Sequence, residues 1–280
     1  MNSNNKSISK FKKYVEDYYV ESNKKVISDI EKLIISNTSG KYFKFGDYNI
    51  EYIDYPGITT PFFEIFIDEE YFFYCKKEQP VILDCGSNIG LSILYYKLIY
   101  PNSKIIAFEP DIQINEILKR NIKRNNLTNI EVNQVALSEK EGKAIFYHSE
   151  IRTMAGSLTS RMTHEEGEVS TYEVPVEVLS KYIDKYDVDF IKLDIEGTEL
   201  KVLREAGEKL RKIPFIFCEF HEGPGVEDNS LVEILQIFEE NGFDIKITQS
   251  FRARQGNHRA FTRFFGKNTF VIWAKNKNIS

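Results

Sequence analysis

The sequence predicts an α/β fold in which a mainly parallel sheet carries helices on both faces. From residue 79 onward, short apolar runs typical of buried strands alternate with longer runs that have helical periodicity. The first apolar run, 81–85, leads through the glycine-containing stretch DCGSNIG (84–90) straight into a helical run. Because a strand, a glycine turn and a helix in this order often form the ligand-binding edge of a parallel sheet, we expect a ligand there.

The composition is typical of a soluble globular protein with one large domain and a small extension. The chain has 280 residues, of which 42% are apolar and 28% charged, and its net charge is −5. An acidic chain of this kind has no overall attraction for nucleic acid. It contains neither a signal-peptide core nor an apolar run of about 18 residues, so the sequence predicts no membrane span and a cytoplasmic location.

The three cysteines give no sign of a disulfide framework or a structural zinc site. Cys75, Cys85 and Cys218 are an odd number and contain no CxxC pair. Cys85 and Cys218 lie in apolar, strand-like runs, which predicts buried and unreactive thiols.

Residues 1–78 differ in pattern from the rest and are predicted to form an accessory cap on the main domain, 79–280. Apolar residues recur at helical spacing over 8–35. Residues 41–53 alternate apolar and polar side chains around a Gly-Asp pair, which predicts a hairpin. The aromatic-rich stretch 62–75 is compatible with more than one secondary structure.

The predicted elements of the main domain follow one another in regular order. Strands are predicted at 81–85, 104–110, 129–138, 188–197 and 214–221, and helices at 91–100, 112–124, 198–210 and 230–241. Two edge strands, 143–148 and 171–178, and a closing hairpin of 243–249 with 269–275 complete the set. Ligands of such a sheet bind beyond the C-terminal strand ends, where the strand order switches.

The glycine loop lacks the features of a pyrophosphate site. Gly86 allows a sharp turn and Gly90 allows the next helix to pack closely on the sheet, with the polar pair Ser87-Asn88 between them. A dinucleotide fingerprint needs glycine at 88 and 91, where this chain has Asn88 and Leu91. No GK[ST] sequence follows, so a Walker A loop is excluded as well.

Two acidic residues at strand ends favour a ligand that is positive and carries a ribose. Glu109 ends the second predicted strand, 19 residues after Gly90, which is the place of a carboxylate that accepts from both ribose hydroxyls. Asp84 heads the glycine loop, where it would repel a pyrophosphate and attract a cationic amino acid. S-adenosylmethionine has both properties; an incidental pair of acids at a structural turn is the alternative.

Four blocks of the sequence together resemble the FkbM family of S-adenosylmethionine-dependent methyltransferases. They are VILDCGSNIG (81–90), AFEPD (107–111), NQVALSEKEG (133–142) and VDFIKLDIEGTE (188–199), and the resemblance covers residues 60–222. It implies a class I methyltransferase fold, a Rossmann-like seven-stranded mixed sheet with one antiparallel strand near its edge. It also implies O-methylation of a hydroxyl on a carbohydrate, a glycoconjugate or a related natural product.

The resemblance also assigns residues by position. The cofactor would be bound by the loop and the acids that follow it, together with a stretch beside the adenine: Asp84, Gly86, Ser87, Asn88, Gly90, Glu109, Asp111, Ala136, Ser138 and Asp194. Asn88 replaces the middle glycine that many class I enzymes have, a mild change because asparagine tolerates positive φ. Ala136-Leu137 stands where other class I enzymes have an acid, which implies backbone contacts to the adenine.

The candidate catalytic residues are Asp194, Glu219 and His221, at the ends of two predicted strands. His221 is the first choice of general base because its ordinary pKa lies near physiological pH. Glu219 would orient its ring, and Asp194 would share the base role or bind hydroxyls. The structural alternatives are a locally bonded histidine and a helix cap. Two carboxylates and a histidine can also bind a divalent metal, but they lack a compact ligand motif, so the sequence does not favour one.

Three further groups of residues are candidates for binding the acceptor. Glu196 and Glu199 belong to the acidic block, although acids at a helix start also stabilise its dipole. Arg252, Arg254 and Arg259, interleaved with aromatics in 250–267, suggest a clamp for a phosphate or an acidic sugar, or simply a solvated loop. The polar stretch 152–168 suggests a lid.

Other functions remain open at this level. N-methylation of an amino sugar or peptide needs less of a base and a more anionic pocket. A nicotinamide-dependent oxidoreductase would share the fold but lacks the glycines at 88 and 91. A non-catalytic module that only binds the cofactor is the third alternative. In each case the partner is a small molecule or glycan rather than nucleic acid.

Overall fold

The structure is a computed structural model that describes residues 38–53, 55–149, 156–160, 163, 168–249 and 269–279. The helical prediction over 8–35 and the arginine clamp at Arg252, Arg254 and Arg259 lie outside these residues. So does most of the candidate lid, 152–168. No helix in the described part of the chain is long and apolar enough to cross a membrane.

The described residues form fourteen strands and six α-helices. The strands are β1 (Thr38–Ser39), β2 (Tyr42–Phe45), β3 (Tyr48–Glu51), β4 (Val81–Cys85), β5 (Lys104–Phe108), β6 (Ile130–Asn133), β7 (Ala136–Leu137), β8 (Gly142–Ser149), β9 (Gly156–Ser157), β10 (Val169–Glu177), β11 (Phe190–Leu193), β12 (Phe215–His221), β13 (Phe243–Gln249) and β14 (Thr269–Asn276). The helices are α1 (Tyr55–Phe62), α2 (Leu91–Ile99), α3 (Ile112–Arg124), α4 (Leu179–Lys185), α5 (Glu199–Ala206) and α6 (Leu231–Glu240). A π-helical turn, Phe63–Ile67, follows α1, and a 3₁₀ helix, Gly207–Lys212, follows α5.

Seven strands form the central sheet, in the order β6-β5-β4-β11-β12-β14-β13. All pairs among β6, β5, β4, β11 and β12 are parallel, whereas β14 runs antiparallel to both of its neighbours. This confirms the predicted seven-stranded mixed sheet with one antiparallel strand near its edge, and the predicted closing hairpin is the β13–β14 pair. The strand order reverses between β4 and β11, which places the C-terminal ends of β4, β11 and β12 side by side.

A second sheet of four strands, in the order β7-β10-β8-β9, corrects one prediction. Residues 129–138 were predicted as one strand, but β6 joins the central sheet while β7 pairs in parallel with β10. The prediction was wrong because Gln134 and Val135, at the break, are not the glycine or proline that usually marks a turn. The two predicted edge strands, now β8 and β10, pair antiparallel with each other.

One helix is also shorter than predicted. The sequence predicts a helix over 198–210, but α5 ends at Ala206 and the chain continues as a 3₁₀ helix to Lys212. Gly207 has a φ of 51° and a ψ of −131° at the junction, a backbone conformation that glycine adopts far more readily than residues with a β-carbon.

Each face of the central sheet packs into its own hydrophobic cluster. On one face, Ile82, Ile105 and Phe217 pack with α2 and with aromatic residues of 43–73. On the other face, Leu83 and Cys218 pack with α4, α5 and α6. Cys85 and Cys218 are fully buried, as predicted, and burial raises the pKa of both thiols.

The sheet β1–β3 lies against α3 and places residues 38–53 beside the glycine loop. Asn121, on α3, accepts a hydrogen bond from the Glu51 N–H at 2.7 Å and donates to the carbonyl oxygens of Glu51 (3.0 Å) and Ile89 (2.9 Å). Arg120 makes two hydrogen bonds to the Glu51 carboxylate. The predicted hairpin of 41–53 is therefore confirmed as β2–β3, whereas the division into a cap, 1–78, and a main domain, 79–280, stays a prediction.

Candidate active site

The glycine loop 86–90 is tied to the ends of β4 and β5 by its backbone. The N–H groups of Gly86 and Ser87 both donate to the Phe108 carbonyl oxygen, at 3.0 and 2.9 Å. Three loop residues have left-handed backbone conformations: Gly86 (φ 84°), Asn88 (φ 49°) and Gly90 (φ 95°). Asn88, which replaces the middle glycine of many class I enzymes, thus has a positive φ, a conformation that asparagine tolerates. The Ser87 side chain is buried and donates to the Asp84 carbonyl oxygen at 2.8 Å, so it supports the loop from inside.

Gly86 leaves no room for a side chain, which joins the loop to the acidic block. A β-carbon at this position would overlap the backbone carbonyl oxygen of Asp194, the residue that follows β11. At Gly90 a β-carbon would meet the Leu118 side chain at 2.8 Å. The loop and the end of β11 thus approach each other as closely as two backbones can.

Asp84 is more deeply placed than the sequence argument assumes. It was expected to face a cationic ligand, but it is fully buried and its Oδ2 accepts from Ser92 Oγ at 2.7 Å. Burial raises its pKa, while the nearby Lys192 ammonium, 3.9 Å from Oδ1, opposes that shift. Among the described residues, Asp84 Oδ1 has no hydrogen-bond partner, and its nearest opposite charge is the Lys192 ammonium.

Lys192 provides the positive charge that links Asp84 to Asp194. Its Nζ lies 3.1 Å from Asp194 Oδ2 and donates to the Gly86 and Cys85 carbonyl oxygens at 2.5 and 3.3 Å. Burial disfavours its charged form, but the two carboxylates outweigh that effect and raise the pKa of Lys192. Lys192 is thus a buried lysine that is paired with two carboxylates.

Glu109 lies where a ribose-binding carboxylate is expected, at the end of β5. Oε2 accepts from the Asn88 N–H at 2.9 Å and Oε1 from the Asp111 N–H at 3.0 Å. Each carboxylate oxygen has a second lone pair, so these bonds leave capacity for further donors. Burial raises the pKa of Glu109 to about 8, despite the backbone hydrogen bonds that favour its ionised form.

Asp111 caps helix α3 rather than presenting its carboxylate to a ligand. Oδ1 accepts from the Gln113 and Ile114 N–H groups at 2.8 and 3.0 Å, and Oδ2 lies 2.6 Å from His148 Nδ1. Burial works against ionisation here, but the hydrogen bonds from His148, the Ile114 N–H and Tyr172, together with the charge of His148, outweigh it and lower the pKa of Asp111. A role of Asp111 next to the cofactor is therefore an indirect one, through the position of α3 and Glu109.

The predicted adenine border lies on the second sheet. Ala136 is buried in β7, which pairs with β10 at Val176. The Ser138 N–H donates to the Glu177 carbonyl oxygen at 3.1 Å. Both residues are fixed by pairing with β10, and their place beside an adenine stays a prediction.

The three candidate catalytic residues come together at the ends of β11 and β12. Along β12, Phe217 lies in one hydrophobic cluster and Cys218 in the other, so alternate side chains face opposite sides of the central sheet. Donor atoms of Asp194, Glu219 and His221 all lie within 4.8 Å of one another. We refer to this group as the acidic mouth. Its three side chains can hold a divalent cation, and they can equally surround a hydroxyl group.

The buried and acidic surroundings of the acidic mouth shift the pKa of Glu219. Burial and then the neighbouring carboxylates of Asp194, Glu64, Glu70 and Glu196 raise the pKa of Glu219 well above its usual range. Negative charge from these neighbours therefore works against a further negative charge on Glu219. The mouth is therefore suited to groups that carry positive charge or donate hydrogen bonds.

His221 is held by Glu199 rather than by Glu219. Nδ1 lies 3.0 Å from Glu199 Oε1, whereas Nε2 lies 3.4 Å from Glu196 Oε2 and 3.9 Å from Glu219 Oε1. The sequence assigned the orienting role to Glu219, whereas in the structure Glu199, the first residue of α5, lies closer to the ring. Glu199 is fully buried, so the acceptor contact predicted for it is not available, while Glu196 is partly exposed at the mouth.

Sequence reasoning overlooked two residues that complete the site. Tyr71 comes from the ambiguous aromatic stretch; its hydroxyl lies 3.4 Å from Asp194 Oδ2, and its ring packs edge-on against Phe217. Asn229 lies in the loop before α6 and bonds to Glu199 and to the His221 carbonyl oxygen. Neither Tyr71 nor Asn229 belongs to a sequence motif. Their proximity to Asp194 and Glu199 is seen only in the folded chain.

Curated relatives of this chain include methyltransferases from fungi, bacteria and archaea. Methyltransferase sdnD of Sordaria araneosa is 29% identical over 212 residues, which is 65% of this chain and 80% of the relative. The 2-O-methyltransferase NoeI of Sinorhizobium fredii is 24% identical over 59% of this chain and 73% of its own. The hexuronic acid methyltransferase AglP of Haloferax volcanii is 28% identical over 54% of this chain and 60% of its own.

The family comparison agrees with these relatives. Among solved structures, methyltransferase FkbM of Methylobacillus flagellatus overlaps 72% of this chain and 45% of its own, with 18% identity and a TM-score of 0.47. Residues 84–245 match the model of the methyltransferase FkbM domain, and this match spans more than half of the chain. It begins at the glycine loop and includes the whole acidic mouth. The protein therefore belongs to the FkbM methyltransferase family and is a methyltransferase.

Proposed function

We propose that this enzyme transfers the methyl group of S-adenosylmethionine to a hydroxyl of a carbohydrate, a glycoconjugate or a related natural product. The observation that carries the proposal is the direct contact between the glycine loop and the acidic mouth. Gly86 touches Asp194, Lys192 bridges the two, and His221 lies beyond with its Nε2 on the mouth side. Donor and acceptor would meet at this junction.

The residues of the loop fit S-adenosylmethionine on three counts. Because Gly86 has no side chain, the Asp194 backbone lies directly against the loop, which brings the loop next to the acidic end of β11. Glu109 retains acceptor capacity for two ribose hydroxyls. Asp194 is partly exposed beside the loop, so a sulfonium or an ammonium group would be stabilised next to its carboxylate.

In this proposal the cofactor supplies an activated methyl group on a sulfonium. The chain then has to align the acceptor oxygen and remove its proton. His221 Nε2 takes the proton of the acceptor hydroxyl while the oxygen gains the methyl group, and S-adenosylhomocysteine remains as the second product. Asp194 and Glu219 hydrogen-bond neighbouring hydroxyls and so fix which oxygen reacts.

The names of two relatives support parts of this proposal: one states methylation of an oxygen, and the other a sugar acid as acceptor. NoeI is a 2-O-methyltransferase, and AglP is a hexuronic acid methyltransferase. For this chain, Glu196 at the edge of the mouth is the acceptor-binding residue that the described structure leaves accessible. The clamp at Arg252, Arg254 and Arg259 stays a prediction and would recognise an acidic part of the acceptor.

The acidic mouth also favours a second candidate, N-methylation of an amino sugar or a peptide amine. Five carboxylates, those of Asp194, Glu196, Glu219, Glu64 and Glu70, influence one small volume. An ammonium group would be attracted there more strongly than a hydroxyl. Family membership removes the oxidoreductase alternative, whereas a non-catalytic cofactor-binding role remains to be tested by turnover.

Isothermal titration with S-adenosylmethionine is the first experiment, and absence of binding would refute the proposal. The second measures S-adenosylhomocysteine formed with a panel of methyl glycosides that are neutral, acidic or amino-substituted. Product from neutral or acidic glycosides, with the methyl group on oxygen by mass spectrometry, supports O-methylation. Methylation of the amino glycosides alone would establish the second candidate instead.

The same assay decides whether a metal takes part. With His221 as base, turnover should be unchanged after treatment with EDTA. Turnover that disappears with EDTA and returns with Mg²⁺ or Mn²⁺ would instead make Asp194, Glu219 and His221 a set of metal ligands.

A further inference from the structure

The Glu199 carboxylate is fully buried at the start of α5, where four donors converge on it. Oε1 accepts from the N–H groups of Gly197 (3.0 Å) and Ile195 (3.4 Å) and lies 3.0 Å from His221 Nδ1. Oε2 accepts from Asn229 Nδ2 at 2.7 Å. With both oxygens engaged and no exposed surface, this carboxylate acts within the protein and does not contact an acceptor.

The contact with Glu199 determines which nitrogen of His221 carries the proton. A carboxylate accepts hydrogen bonds and does not donate them, so Nδ1 is the nitrogen that donates. In the neutral ring the lone pair then lies on Nε2, on the side of Glu196 and Glu219. This is the tautomer that a base facing the acidic mouth needs, and the opposite tautomer would turn an N–H toward the acceptor.

Asn229 fixes the position of the Glu199 carboxylate relative to His221. Its amide N–H₂ donates to Glu199 Oε2 and to the His221 carbonyl oxygen at 2.9 Å, and its Oδ1 accepts from the Leu200 N–H at 3.1 Å. One buried side chain thus connects the end of β12 to the first turn of α5. Such connections limit rotation of the His221 ring. A base needs this fixed orientation for efficient proton transfer.

We propose that Glu199 and Asn229 are positioning residues that fix the tautomer and the orientation of His221. The proposal rests on the function proposed above and explains what enables His221 to act as the general base. It replaces the acceptor-binding role that the sequence suggested for Glu199. A purely structural role, in which Glu199 only caps the loop through Gly197 and Ile195, predicts no effect on the histidine ring.

Nitrogen NMR tests the tautomer without any acceptor or cofactor. The chain has four histidines, so a protein labelled with ¹⁵N-histidine gives a simple spectrum, and comparison with His221→Gln assigns the signals of His221. At a pH where the ring is neutral, we expect a protonated Nδ1 and an unprotonated Nε2. A wild-type ring protonated on Nε2 would overturn the proposal without recourse to any variant.

Glu199→Gln keeps the size of the side chain and replaces one carboxylate oxygen by an N–H₂ donor. We expect a shift of the His221 tautomer population, a fall in kcat of about 10²–10⁴-fold and little change in cofactor affinity, because general base catalysis contributes by about that factor. Asn229→Ala should lower kcat less, since it loosens the carboxylate without removing it. Glu205→Gln is the matched control; this glutamate lies on the same helix and accepts from the Ser180 N–H instead.

The outcomes separate this proposal from the function on which it rests. An active wild type whose Glu199→Gln variant keeps both its kcat and its tautomer would overturn the positioning role and leave the methyltransferase function intact. A wild type that binds no S-adenosylmethionine would refute the proposed function, while the NMR result would still report the geometry of the ring. Circular dichroism melts show whether each variant is folded.

Discussion

Glu109 is the single residue whose ionisation should be visible in cofactor binding. Its pKa of about 8 means that, near neutrality, the buried carboxyl carries a proton that must leave before it can accept from both ribose hydroxyls. Affinity for S-adenosylmethionine should therefore rise as the pH increases from 6 to 9, by about tenfold per unit below the pKa. Titration calorimetry at several pH values measures this dependence.

Two variants control for other groups that titrate in the same range, including those of the ligand. Glu109→Gln should remove the part of the pH dependence that belongs to the protein. Glu109→Ala should weaken binding about 10–100-fold at pH 9, because a hydrogen bond to a charged group contributes about 1.5–3 kcal/mol. Wild-type affinity in Glu109→Ala would show that the ribose is bound elsewhere.

His221 should be essential for turnover and dispensable for cofactor binding. It lies beyond Asp194 as seen from the glycine loop, and its ring contacts Glu199 and the mouth. We expect His221→Ala to lower kcat by about 10²–10⁴-fold while calorimetry shows unchanged affinity for S-adenosylmethionine. Unchanged turnover would make this histidine a structural residue, and weaker cofactor binding would place it in the cofactor site.

At the scale of secondary-structure elements, the turn from β4 to α2 depends on glycine at position 86. Gly86→Ala combines a left-handed φ of 84° with overlap between the new β-carbon and the Asp194 carbonyl oxygen. We expect it to lower the free energy of unfolding by about 1–3 kcal/mol and to weaken cofactor binding, since the loop has to move away from β11. Urea denaturation and calorimetry measure the two effects.

Gly207→Ala is a matched control for the backbone contribution. Gly207 also has a left-handed conformation, with a φ of 51°, but a β-carbon there meets nothing within 4 Å. Gly207→Ala should therefore lose stability through the backbone conformation alone, by about 1–3 kcal/mol, and retain cofactor binding. If the two variants behaved alike, the close approach of loop and strand would have no influence on the site.

At the scale of the whole molecule, the chain before residue 79 completes the core of the sheet. Phe73 stacks on Phe190 with 4.3 Å between ring centroids, and Tyr71 packs on Phe217 at 4.7 Å. Trp273 of β14 donates to the Glu70 carbonyl oxygen at 2.8 Å. The predicted boundary at 78 and 79 therefore separates residues that share one hydrophobic cluster.

A chain of residues 79–280 alone should fail to unfold cooperatively, because it exposes this aromatic surface. Phe73→Ala in the full chain should lower the free energy of unfolding by about 3–5 kcal/mol, the usual cost of removing a buried aromatic ring. Thermal unfolding followed by circular dichroism measures both. A shortened chain with wild-type stability would show that the main domain folds independently, as the sequence pattern suggested.

The local pattern of the sequence was enough to predict most of the central sheet. Alternating apolar runs gave β4, β5, β11, β12 and the closing hairpin within a few residues, because a strand buried on both faces must be apolar along its length. The same reasoning failed at 129–138, where pairing with another sheet, rather than local pattern, ends the strand. The spacing of Gly86, Gly90 and Glu109 likewise needed no structure, since it reflects the fixed geometry of a strand, a turn and a helix.

By itself, then, the sequence determined the fold class, the glycine loop and the strands whose ends carry Asp194, Glu219 and His221. Only the tertiary structure decided which groups act on them. Lys192 balances Asp84, Tyr71 approaches Asp194, and Glu199 rather than Glu219 holds His221. The physical reason is distance along the chain: local pattern reports the period of a strand or helix, but hydrogen bonds and charge interactions between remote residues depend on how those elements pack.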